Sequence, residues 1–178
     1  MLQERSTPSV LQFLLVALVI VAVIVFAIIS MNTGDILWFW PIFRGTPHRM
    51  VLHCYGQDIV VQPGDPAYET VNAVVNDSLS GTKRWDSLSM SDATYDEYHT
   101  SSEMMVLELG YDPPERLHSF YKFFKSFDTL IIPLDGRHAS FDTVFGRFRT
   151  HTLAGSFHVE DTSKIMTTLA DQELCKKP

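Results

Sequence analysis

The stretch VLQFLLVALVIVAVIVFAII, residues 10–29, carries one polar side chain, Gln12, and no charge. Wound as a helix, about twenty such residues reach roughly 30 Å, the thickness of bilayer hydrocarbon. Each central Leu, Ile, Val or Phe favours insertion by about 0.3–0.6 kcal/mol, so the run sums to several kcal/mol, well beyond what a glutamine near its end opposes. We therefore read residues 10–31 as a transmembrane helix. A short tail, 1–9, precedes it, and an aromatic juxtamembrane linker, 32–46, leads to one domain, 47–178.

A cleaved signal peptide is the competing reading, with an apolar region of typically about 7–15 residues and a small-x-small cleavage site. Val25-Phe26-Ala27 offers such a site, but the run continues through Ile28 and Ile29, and Arg5 is the one basic residue before it. The helix is expected to remain as an anchor, so the lipid bilayer is the partner of residues 10–31. Arg5 stands on one side and Arg44 and Arg49 on the other, at the outer limit of the distance over which charge sets orientation. With a tail this short on the cytoplasmic side, the C-terminal domain is expected outside the cytoplasm.

About 130 residues follow the anchor, enough for one domain with its own core. The chain of 178 residues has 14 basic and 21 acidic side chains, a net charge of −7. An acidic surface repels phosphate backbones, so no nucleic acid partner is expected. The two cysteines are compatible with a single disulfide in an oxidising compartment, and spacing does not decide whether they meet; Cys54, in an apolar strand-like run, reads first as a small buried hydrophobe. Cys175, near the C-terminal end, reads as exposed.

Past the anchor, Trp38, Phe39, Trp40 and Phe43 crowd together. Tryptophan suits the membrane interface because its ring is apolar while its N–H seeks a polar partner. These residues read either as an interfacial belt or as a docking surface for another membrane protein. Together with Trp85 they are the partner-binding candidates. Pro41, Gly45 and Pro47 punctuate the exit to the domain.

The domain begins with two β-branched runs around Gly56-Gln57, a hairpin signal. Asp65 and Pro66 then open an amphipathic helix expected over 66–79. Asn76-Asp77-Ser78 is a formal glycosylation sequon, read as noise because it falls on that helix. Residues 80–102, rich in Ser, Thr and Asp but holding Trp85, Tyr95 and Tyr98, read as a long, partly ordered excursion that covers a groove or meets a partner. A strand over 104–111 is expected to stop at Asp112-Pro113-Pro114. A short helix follows within 114–127, then a strand over 128–134 whose Pro133 belongs at an edge or bulge. After the turn 135–138 come an alternating run over 143–153, a short strand at 157–159 and an amphipathic helix over 163–174. This order predicts an α+β fold in which a mainly antiparallel sheet has two or three helices packed on one face.

Motifs that carry chemistry are sparse. Asp135, His138 and Ser140 lie together in DGRHAS, but catalytic triads are assembled from distant segments, and no G-x-S-x-G turn occurs. Asp135, His138 and His151 are the residues a dispersed hydrolytic site would draw on. None of the seven histidines shows a metal-ligand spacing, and His53 and Cys54, adjacent on a strand, point to opposite faces. No metal and no cofactor is therefore expected. The leading functional expectation is a binding domain, an accessory subunit with a protein partner in the membrane. A tethered hydrolase and a small-ligand sensor are the alternatives. An uncleaved anchor predicts that the full-length protein resists carbonate washing of membranes, whereas an intact mass starting near Ile28 or Asn32 would identify a cleaved signal.

Overall fold

A computed structural model of the protein describes residues 9–122, 124 and 126–177; Arg5, the basic residue of the tail, lies outside them. Helix α1 runs over Val10–Thr33, 24 residues, long and apolar enough to cross a membrane. The Ser9 hydroxyl accepts from the Gln12 amide at 3.2 Å, and the Gln12 side chain accepts from Ser9 N at 2.9 Å. That reciprocal cap satisfies donors at the helix start and explains the one polar residue in the apolar run. Gly34, at φ 63°, ends the helix in the left-handed conformation that glycine adopts without a Cβ penalty.

The domain is built on β1 (Arg49–Cys54), β2 (Gln57–Val61), β3 (Arg84–Asp86), β4 (Met105–Glu115), β5 (Phe127–Asp135), β6 (Thr143–Phe148), β7 (His151–Thr152) and β8 (Ser156–His158). The sheet order is β2-β1-β4-β5-β6-β8-β3 with β7 paired to β6, and every pairing is antiparallel. Helices α2 (Tyr68–Ser78), α3 (Asp92–Thr100) and α4 (Ser163–Asp171) complete the α+β fold.

Strand alternation divides the core in two. On one face Met50, Leu52, Leu107, Leu109, Leu130 and Ile132 pack under α2 and α4, which bring Val71, Val75, Ile165 and Leu169. On the other face Val106, Ile131 and Phe145 meet Tyr98 of α3 and Met90 just before it. The helices are thus not confined to one face. The excursion 80–102 is ordered: it supplies edge strand β3 and the helix that covers the second face. Its inward residues are Tyr95, Tyr98 and His99 rather than aliphatics, so the usual apolar periodicity is missing.

Other expectations shift for identifiable reasons. The first hairpin turns at Tyr55-Gly56, at φ 49° and 86°, one residue earlier than read, because Cys54 pairs with Gln57. Positive φ at both positions matches the twist of the flanking strands. Asp65 accepts from Gln62 N at 2.7 Å and so closes the preceding turn instead of capping α2, which starts at Tyr68. Strand β4 passes through Pro113 and Pro114, where the register to β5 breaks between Gly110 and Glu115, so neither proline removes a ladder bond. Pro133 likewise sits beside a bulge, with Val106 opposite Pro133 and Met105 opposite Asp135. No helix occurs in the described residues of 116–126. That segment places Leu117 and Phe124 in the core, while Phe123 and Lys125 of the expected helix fall outside the described residues.

The question that spacing leaves open is decided by the fold: Cys54 and Cys175 form a disulfide with Cα atoms 5.9 Å apart. Cys54 faces the α2/α4 side at the end of β1, and the chain leaving α4 returns past it. Closing a loop across 121 residues restricts the unfolded chain, which stabilises the fold by about 3–5 kcal/mol on a chain-entropy argument. Replacing both cysteines by serine is expected to lower the urea unfolding midpoint accordingly; an unchanged midpoint would show that the bridge adds nothing.

Candidate functional site

The juxtamembrane linker is held against the domain along its length. Gly45 N donates to Asn76 Oδ1 at 2.9 Å and Asn76 Nδ2 donates back to Gly45 O at 3.0 Å. Asn76 of the sequon is therefore consumed by backbone recognition. Phe43 N donates to Ser80 Oγ at 3.0 Å, Tyr68 OH to Pro47 O at 2.6 Å, and Lys83 Nζ to Pro41 O at 3.0 Å. Burial pushes the Lys83 ammonium down to about 8. At the helix exit, the Asp35 carboxylate meets His118 Nδ1 at 2.9 Å, and Arg116 donates to Gly34 O at 2.8 Å.

The five aromatic candidates separate. Trp38 and Phe39 fold back onto Phe26 of α1, with centroids 6.3 and 6.0 Å away, and Phe120 packs on Trp38 at 5.8 Å. Phe39, Trp40, Ile42 and Phe120 are about half exposed, forming an apolar collar that continues the surface of α1. Phe43 is buried between Tyr111 and Phe127 and belongs to the core rather than to a docking surface. Trp85, on β3, packs beside Tyr121 at 6.2 Å, and Tyr121 in turn meets Phe120, the ring that packs on Trp38.

Asp135, His138 and His151 have separate surroundings. Asp135 accepts from Lys177 Nζ at 2.8 Å and from Tyr55 OH at 2.6 Å, and these bonds, the lysine's first, hold its carboxyl below the usual range. His138 instead meets Tyr98 OH on the α3 side and stacks edge-on with Phe145. His151 is exposed on β7. Among the described residues no hydrogen bond joins any two of the three.

The densest polar grouping lies under α3. The register of β1 with β4 sets His53 opposite Val106 and Val51 opposite Glu108, so His53 and Glu108 share the second face. Tyr95 and His99, four apart on α3, reach down to them. Tyr95 OH donates to Glu108 Oε2 at 3.0 Å, and His99 Nε2 lies 3.1 Å from the same oxygen. The His53 and His99 rings stack with centroids 4.3 Å apart. On the far side, His53 Nδ1 lies 2.7 Å from Asp58 Oδ1, its cross-strand neighbour on β2. His53 Nε2 is buried with no hydrogen-bond partner. Burial, reinforced by the Glu108 charge, pushes the Tyr95 hydroxyl up to about 12, so it remains a neutral donor. Arg147 stacks on the Tyr95 ring at 3.9 Å. Among the described residues, His53, His99 and Glu108 stand close enough to share an ion. Local spacing could not reveal them, but each of His53 and Glu108 interrupts an otherwise apolar strand, and that interruption is the legible signal.

No protein family, curated protein or solved structure matches the chain.

Burial, and next the Arg137 charge, lower the His138 pKa below the ordinary value of about 6.5. The unfolded chain then binds the proton more readily, so stability is full above about 6.5 and falls as pH drops through the folded-state pKa. His138→Asn, compatible with the φ of 66° at this position, is expected to shrink that acid-side fall in unfolding midpoint. An unaltered pH profile would remove His138 from the account.

Proposed function

We propose that the protein is a single-pass membrane protein whose domain lies outside the cytoplasm and acts by binding, as an accessory subunit of a larger membrane assembly. The observation that carries this reading is the collar. Ile36, Phe39, Trp40, Ile42 and Phe120 expose large apolar surfaces beside α1, and a soluble protein rarely leaves such a contiguous band uncovered. The hydrogen-bonded linker supports it further, because a domain fixed to its anchor presents one defined surface at the bilayer. The Cys54–Cys175 bridge supports the extracytoplasmic placement, since disulfides persist in oxidising compartments.

Bilayer headgroups cover part of this band, and a protein partner covers the rest. Aromatic anchors in such contacts fill shaped pockets, and truncating one typically costs about 2 kcal/mol or more. A photocrosslinking amino acid at Trp40 is therefore expected to yield one discrete protein adduct in native membranes, lost when Phe39 is changed to Ala. Adducts with lipid alone would reduce the collar to an interfacial belt and overturn the accessory-subunit reading.

A further inference from the structure

We propose that His53, His99 and Glu108 form a binding site for a divalent transition-metal ion of the Zn²⁺ type. Each offers one ligand atom, and the three atoms lie within 4.8 Å of one another. The donor set of two imidazoles and one carboxylate is one that zinc accepts, at about 2.0–2.2 Å with an open fourth position. Two ligands on a tetrahedral ion at that distance stand about 3.3 Å apart. The pair His99 Nε2 and Glu108 Oε2, at 3.1 Å, already has that spacing.

His53 supplies the third ligand. Its side chain is 6% exposed, and a buried ring nitrogen without a partner is costly unless something satisfies it. His53 Nδ1–H donates to the Asp58 carboxylate, which leaves the Nε2 lone pair free to bind an ion. Carboxylate–histidine–metal arrangements of this kind fix the tautomer and raise the basicity of the ligand. Asp58 also offsets the positive charge left when one carboxylate meets a dication. Tyr95 positions Glu108 in the same way through its 3.0 Å hydrogen bond.

The site opens toward solvent, because His99 and Glu108 are 32% and 21% exposed, so an ion can enter and keep a water as fourth ligand. The imidazole planes lie 19° apart, close to parallel, and one ring must turn for both to point at a single ion. His99, the more exposed of the two and in the last turn of α3, is the ring that turns. Local spacing shows no metal motif because the ligands come from two strands and a helix.

The test is calorimetric titration of the detergent-solubilised full chain with Zn²⁺. One equivalent is expected to bind, with affinity reduced at least tenfold in His99→Ala and in Glu108→Gln. Asp58→Asn, at an exposed position, is expected to weaken binding by about 10–100-fold without removing a ligand. Zn²⁺ should also raise the unfolding midpoint of the parent protein and not that of His99→Ala, which separates metal loss from misfolding. Co²⁺ should give the intense visible absorption of a tetrahedral site, absent in Glu108→Gln. If the parent takes up no stoichiometric Zn²⁺, or if the His99 and Glu108 variants bind it as the parent does, the proposal fails.

Discussion

Adjacent residues of a strand face opposite sides of the sheet, and in β1 that constraint gives His53 and Cys54 different fates. Cys54 points to the α2/α4 side and is bridged to Cys175. His53 points to the α3 side and joins His99 and Glu108. Both outcomes require that β1 and β4 be covered on both faces, which is why nearly every residue of β1 is buried. A slip of one residue in the β1–β4 register would exchange the two faces, breaking the disulfide and the polar cluster together. The α2/α4 side is apolar and carries most of the buried area. The α3 side is smaller and mixes Val106, Ile131 and Phe145 with charged and aromatic polar groups.

The second constraint is the seam between anchor and domain. Backbone groups of a linker crossing a protein surface need partners, and here Asn76, Ser80, Tyr68 and Lys83 supply them. The linker therefore behaves as part of the fold, and the turn after α1 is tied to the 116–120 segment through Asp35, Arg116 and His118. In the proposed topology, a domain held this way at the end of α1 keeps its aromatic collar at the level of the headgroups, the environment suited to rings with one polar atom.

Much of the architecture was legible in the residues. The unbroken apolar run marks α1, the paired β-branched segments mark β1 and β2, and helical spacing of Val71 and Val75 marks α2. What escaped reading depends on contacts distant in sequence. Helix α3 turns Tyr95, Tyr98 and His99 toward the sheet, with Tyr98 buried and the other two partly so, and its periodicity is therefore not one of aliphatics. Strand β4 tolerates two prolines only because its register to β5 breaks there. The pairing of Cys54 with Cys175 depends on the return of the chain after α4, which spacing alone does not encode. Phe43 reads as part of the collar because it follows Trp40 closely, yet the chain beyond Pro41 carries it into the core. The His53, His99 and Glu108 grouping was hidden for the same reason: register, not spacing, brings it together.

The proposed placement outside the cytoplasm requires a domain that folds in an oxidising compartment with Cys175 locked to β1. Peptide mapping of the protein taken from native membranes, with thiols alkylated at the moment of lysis, addresses this directly. A single linked pair of peptides containing Cys54 and Cys175, with neither cysteine alkylated, is the predicted result. Full alkylation of both cysteines in folded protein would contradict the placement and the role given to the bridge.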